Sequence, residues 1–118
     1  AALAALKAYV AAWNGHNPEA LAGTLNYPYV RIADGTVDVS ASPADFLRGA
    51  EPGRQRTWFE TRLEQADAVQ VSSSGVNITL RYTRRGRDGT AMSTYDALAL
   101  VTSRNNTWKI QAISSLGP

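Results

Sequence analysis

Val76-Asn77-Ile78-Thr79-Leu80-Arg81-Tyr82-Thr83 alternates apolar and polar residues without a break. Successive side chains of a strand point to opposite faces, so this octet reads as an antiparallel strand with one face in a core and the other in water. Working outward, β-type sequence holds over most of the C-terminal half. Strands are expected over 57–73, 76–84, 90–102 and 107–115, separated by Ser74-Gly75, Arg87-Asp88-Gly89 and Asn105-Asn106. Toward the N-terminus the period changes to that of a helix. Leu3, Leu6, Val10 and Trp13 recur at helical spacing, with Tyr9 beside them, and Asn14-Gly15 ends the run. Asn17 caps a second helix, Pro18 takes its first position, Glu19 faces the positive end of its dipole, and Leu21 and Leu25 form its buried side. Residues 29–33 read as a strand, Asp34-Gly35 as a two-residue hairpin turn, and 36–40 as the returning strand. Ser42-Pro43-Ala44-Asp45 starts a third helix with Phe46 and Leu47 as its apolar contacts, and 49–56 is a loop.

Helices first and antiparallel strands after them is the α+β pattern. Strands this long must curl, and the N-terminal helices would close the concave side. The expected architecture is therefore a cone, with a pocket between helices and a strongly curved, mainly antiparallel sheet.

The chain has 118 residues, which predicts a single domain over 1–118 burying about 65% of its unfolded surface. No apolar run approaches the ~20 residues that span a bilayer, so no membrane partner is expected. Cysteine is absent, which removes disulfide and thiol chemistry and selects neither a reducing nor an oxidising compartment; a cytoplasmic setting is the working expectation. One histidine, His16, and no His/Cys cluster argue against a metal site, and no cofactor motif is present. Ten arginines against two lysines, at a net charge of +2, fit a coding bias better than a function. The apolar opening Ala1-Ala2-Leu3-Ala4-Ala5-Leu6 is broken by Lys7 and continues with helical period, so it reads as helix rather than leader. The chain does not begin with methionine, and an upstream segment is expected to have been removed or left out.

Tyr9-Val10-Ala11-Ala12-Trp13-Asn14, together with Thr94-Tyr95-Asp96, resembles the NTF2-like superfamily, and ketosteroid isomerase within it. The resemblance implies that Tyr9 stands where that family carries its oxyanion tyrosine. Asp96, in Tyr95-Asp96-Ala97-Leu98, stands where it carries a protonated aspartate as second donor. It further implies a general-base aspartate at the end of the first strand. Ungapped counting from Tyr9 lands on Ala33, and Asp34 is one residue beyond. Abstracting a proton beside a carbonyl needs such a base, and donors on the oxygen that becomes an enolate. A carboxyl can donate only where an apolar site holds it protonated. On this reading Tyr9, Asp96 and Asp34 would be catalytic, while Trp13, Tyr27, Tyr29, Tyr82 and Leu98 would line the pocket. The resemblance implies an isomerase or dehydratase acting on a hydrophobic carbonyl compound, and a homodimer formed through the outer sheet face. A non-catalytic ligand-binding or dimerisation module is the alternative.

Each residue also has a plainer reading. If Asp88-Gly89 is a two-residue turn, Arg81 sits opposite Asp96 and the carboxylate is a cross-strand ion pair. A loop one residue longer puts Tyr82 opposite Asp96 and Leu80 opposite Leu98; this register aligns the apolar residues and is the one expected. Tyr9 can be a core phenol, and Asp34 a turn residue, with Asp38 the alternative base. His16 fits a surface position between two helices. Trp13, Trp58, Phe59 and Trp108 fit the core, and Tyr27 and Tyr29 around Pro28 could instead seal a helix–strand junction. Arg81, Arg84, Arg85 and Arg87 form a charge cluster that could contact phosphate, but without an aromatic RNA-binding motif nucleic acid is not the expected partner. Arg31 with Asp34 or Asp38 resembles the Asp/Arg/Asp set of limonene epoxide hydrolases in residue type, not in spacing.

Overall fold

The computed structural model describes residues 1–33, 35–49, 60–86 and 91–116. Three helices, α1 (Ala2–Asn14), α2 (Pro18–Ala22) and α3 (Pro43–Gly49), accompany six strands. These are β1 (Leu25–Ala33), β2 (Thr36–Ser40), β3 (Glu60–Val71), β4 (Gly75–Arg85), β5 (Ala91–Arg104) and β6 (Thr107–Leu116). They form one sheet in the order β2-β1-β6-β5-β4-β3. Only the β1–β6 pair is parallel; every other neighbouring pair is antiparallel. The α+β cone expected from the sequence is what is found. Asp34, the loop over 50–56, Trp58, Phe59 and the Arg87-Asp88-Gly89 turn lie outside the described residues. Among the described residues, no helix is long and apolar enough to cross a membrane.

Local chemistry sets the element ends. Asn17 Oδ1 accepts from the backbone N–H groups of Glu19 (3.0 Å) and Ala20 (3.2 Å), satisfying two otherwise unpaired donors of α2. At α3, Ser42 Oγ accepts from Asp45 N–H and Asp45 Oδ2 accepts from Ala41 N–H, a reciprocal cap. Asn105 and Asn106 both take the left-handed conformation (φ 53° and 64°) that a two-residue hairpin between β5 and β6 demands. Irregularities in register at Leu63/Gln65 and Ala68/Gln70 of β3, and at Leu100/Val101 of β5, mark bulges; these bend the strands and let the sheet curl.

Two details differ from the sequence reading. Leu25 is not part of α2: Thr24 folds back with both its N–H and its hydroxyl on the Leu21 carbonyl, and Leu25 then opens β1 at 2% exposure. On α1 the buried stripe runs through Ala2, Leu6, Tyr9 and Trp13, which leaves Leu3 43% exposed.

The core lies between α1 and the concave face of the sheet, around the fully buried Leu6, Ile78, Val101 and Ile110. Its geometry corrects the expected β4–β5 register. Arg81 faces Asp96, Tyr82 faces Tyr95, Leu80 faces Ala97 and Ile78 faces Ala99. The apolar match of Leu80 with Leu98 loses because α1 must seat on that face. Large β4 residues beside small β5 residues make room for the helix, and Ala99 is completely buried there. Leu98 and Leu100 therefore turn to the convex face, opposite Thr79 and Asn77.

Candidate functional site

Alternation within each strand assigns the side chains to two faces. On the concave face, around the second half of α1, stand Tyr29 and Arg31 of β1, Leu63 of β3, Tyr82 and Arg84 of β4, Tyr95 of β5 and Ser115 of β6. Tyr9 and Trp13 enter this cluster from α1, their rings meeting edge to face at 6.3 Å and 83°. Tyr9 also makes side-chain polar contacts with Trp13 and Tyr29. Burial pushes the phenols of both Tyr9 and Tyr29 up, Tyr29 well above the usual phenol range, while the nearby Arg31 guanidinium pulls both part of the way back. Phe46 of α3 holds Tyr29 from the other side, edge to face at 6.0 Å.

Beside the two phenols, Tyr82 stacks on Tyr95 with ring centres 5.1 Å apart and planes within 14°. The Tyr82 hydroxyl and Ser115 Oγ are hydrogen-bonded at 2.8 Å. Arg84 lies over both rings, 6.0 Å from that of Tyr82 and 5.4 Å from that of Tyr95, in cation–π range. The cluster thus combines aromatic surface, hydroxyl donors and two guanidinium groups. Among the described residues, Asp38 is the one carboxylate at a paired concave-face strand position. It stands opposite Arg31 and is exposed. No group of three or more metal-ligating side chains occurs among the described residues.

The structure does not bring Asp96 to Tyr9. Asp96 is on the convex face, with Arg81 Nε donating to its Oδ1 at 2.9 Å and both side chains more than half exposed. That contact holds the Asp96 carboxyl below its usual range, the opposite of what a carboxylic acid donor requires. Asp96→Asn is expected to cause only a small fall in melting temperature at pH 7, since exposed pairs are screened by solvent and salt. The sign with pH follows from the lowered folded-state value. The pair contributes above the unfolded carboxylate value of about 3.9 and is lost as pH falls through the folded one. Thermal melts of wild type and variant should therefore converge toward pH 2. A large loss at pH 7 that persists in acid would contradict an exposed pair.

Leu98 is likewise convex. With Arg81, Asp96, Ser114 and Leu116 it borders an open groove of about 530 Å³ on that side, so it does not join the residues around Tyr9. Asp34 lies outside the described residues. Tyr27 donates its hydroxyl to the Ala22 carbonyl at 2.9 Å and accepts from Arg104 at its own carbonyl, tying α2 and β5 to β1. Its place is at that junction. His16 is exposed, just past the end of α1. Tyr9, Trp13, Tyr29 and Tyr82 are the sequence-derived site residues found together.

Several members of the cluster were not legible as such. In the sequence Tyr95 stands out only beside Asp96, Ser115 only as the end of an expected strand, and Arg84 only as part of a charge run. The Arg81–Asp96 register would have paired Tyr82 with Tyr95. Asn14 is more than a helix stop. Its Nδ2 donates to the Thr61 carbonyl at 2.9 Å and its Oδ1 accepts from Thr61 N–H at 2.7 Å, fastening the end of α1 to the edge strand β3.

The same architecture recurs in solved structures. A ketosteroid isomerase-like protein from Erwinia carotovora atroseptica is 19% identical with a TM-score of 0.75, covering 98% of this chain and 92% of that one. A protein of unknown function with a cystatin-like fold from Nostoc punctiforme reaches a TM-score of 0.81 at 9% identity, over 98% and 87% of the two chains. An NTF2-like protein from Cytophaga hutchinsonii gives 0.75 at 16% identity, over 98% and 94%. At these identities the likeness is one of fold. No curated protein matches the sequence. The family model described as NTF2-like protein (DUF6841) matches residues 2–118.

Proposed function

The chain belongs to the NTF2-like family DUF6841, and from that premise we propose that its concave site binds an apolar small molecule carrying a carbonyl-type oxygen. The observation that supports this is the Tyr9–Tyr29 pair. Both phenols are mostly enclosed, yet among the described residues neither reaches a backbone carbonyl or a carboxylate; they have one another and Trp13. Two hydroxyls that share one contact leave one proton to donate. A bound acceptor oxygen could take that proton. The rings of Tyr82 and Tyr95 supply flat apolar surface alongside.

Binding is favoured over isomerisation. Proton abstraction needs a base within about 3 Å of the substrate proton. Among the described residues no such base is in place: the carboxylate expected as second donor is on the far side of the sheet, and Asp38 stands exposed. The test is calorimetric titration with a ring ketone such as 1-tetralone. Tyr9→Phe should weaken binding roughly 5- to 10-fold, the worth of one hydrogen bond of about 1 kcal/mol, with little change in melting temperature. Equal affinity in the two proteins would remove Tyr9 from the site.

A second role rests on a separate observation. Ile32, Val37 and Val39 lie on the convex face of β1 and β2, and Leu116 ends β6 on the same side, exposed by 38%, 61%, 62% and 70%. Exposed apolar residues on adjoining strands favour a second copy of this chain on that face. Light scattering would detect the homodimer, and Val37→Lys with Val39→Lys should return it to monomer.

A further inference from the structure

The concave cluster carries charge as well as hydroxyls: Arg31 and Arg84 belong to it, and Asp38 stands exposed at its rim opposite Arg31. Arg31 projects from β1 on the same face as Tyr29 and is only partly exposed. Its cross-strand neighbour Asp38 does not come within ion-pair distance; the ion pairs among the described residues are Arg48–Asp45 and Arg81–Asp96, both elsewhere. Among the described residues the half-buried Arg31 has no carboxylate within ion-pair distance, which leaves its guanidinium available to an anionic ligand. Arg31 is close enough to Tyr9 and Tyr29 to act on both phenols electrostatically. Arg84, over the Tyr82–Tyr95 stack, adds a second positive group to the same face. Wall, donor and charge therefore converge: flat aromatic rings, a spare phenol proton and an arginine fork.

We propose that the ligand of this site is a carboxylate on a flat apolar body, with one face of the carboxylate on the Arg31 guanidinium, an oxygen accepting from the Tyr9–Tyr29 phenol pair, and the body against Tyr82 and Tyr95. The proposal rests on the small-molecule reading above and narrows it to a chemical class. A guanidinium offers two parallel N–H donors that match the two oxygens of a carboxylate, and a charge-assisted bond of this kind is about twice as strong as a neutral one. One such fork with a hydroxyl beside it suits a monocarboxylate, with Arg84 placed over the Tyr82 and Tyr95 rings that would hold the body.

The test compares trans-cinnamate, its neutral isostere trans-cinnamamide and inorganic phosphate by calorimetric titration against the full chain at low ionic strength. Wild type should bind the acid at least ten times more tightly than the amide, with phosphate weaker than both. Arg31→Gln should abolish that preference by weakening the acid while leaving the amide unchanged. Arg31→Lys, which keeps the charge and loses the fork, should retain part of it and shows that any loss in Arg31→Gln is not a failure to fold. Acid and amide binding equally would overturn the carboxylate assignment and leave the small-molecule site standing. Phosphate binding more tightly than cinnamate would overturn it in favour of a phosphate ligand. Neither organic probe binding at millimolar concentration would overturn both readings together.

Discussion

Leu6→Ala should lower folding stability by about 2–5 kcal/mol, the range for truncating a fully buried leucine. Leu6 has no exposed surface and sits where α1 meets the sheet, in one cluster with Ala99, Val101 and Ile110. Ala99, in the same buried cluster, has no side chain that could swing into the space left behind. Collapse around the cavity would therefore be poor, which pushes the expected cost toward the upper part of the range. For a chain of this size the shift in melting temperature is roughly 8–20 °C. Leu3→Ala is the internal control. Leu3 belongs to the same helix but is 43% exposed, so its loss should be a small fraction of that. Urea or thermal denaturation of the two variants checks this directly. Equal effects would mean that α1 is rotated from the orientation described.

The second large effect is expected at Asn14. Its amide makes two hydrogen bonds to the backbone of Thr61 on the outer edge of β3, which among the described residues has no further strand beside it. Asn14→Ala removes both and leaves a partly buried N–H and C=O without their partners, at a cost of about 1–3 kcal/mol. Asn14→Asp keeps an acceptor for Thr61 N–H but sets a carboxylate against the Thr61 carbonyl, and should be no better. Hydrogen exchange gives the sharpest readout. The Thr61 amide should lose protection in Asn14→Ala by more than amides in the centre of β4. Unchanged exchange at Thr61 would show that the contact is not held in solution.

How far the sequence could be read depended on the range of the interaction. Caps and turns are decided by residues within four positions of one another, and Asn17, Ser42 with Asp45, and Asn105-Asn106 all act as their types predict. Alternation in β4 assigned Ile78 and Leu80 to the core side without outside help. Alternation fixes parity but not partners, and there the reading failed. Leu98 and Leu100 look like core because they are leucines, yet the helix needs alanines beneath it, so Ala97 and Ala99 take the inner positions. That one-residue difference carried Asp96 and Leu98 out of the candidate site. The contact between Tyr9 and Tyr29 and the bond from Tyr82 to Ser115 join residues that no local pattern relates. A resemblance placed Tyr9 and Tyr82 near a pocket, but could not place Arg31 or Tyr95 beside them.

The alanines beneath α1 have a consequence of their own. Ala97 and Ala99 hold the helix close to the sheet by what they lack, and Ala97 neighbours both Leu80 and Ser115 at the border of the aromatic cluster. If the proposed ligand binds there, its depth would be set at a position that bears no polar side chain and need never touch the ligand's oxygen. Adding one or two methyl groups at residue 97 would shorten the room while sparing every donor. For the ligand proposed above, size selection and head-group recognition would then lie on different residues and could drift independently of each other.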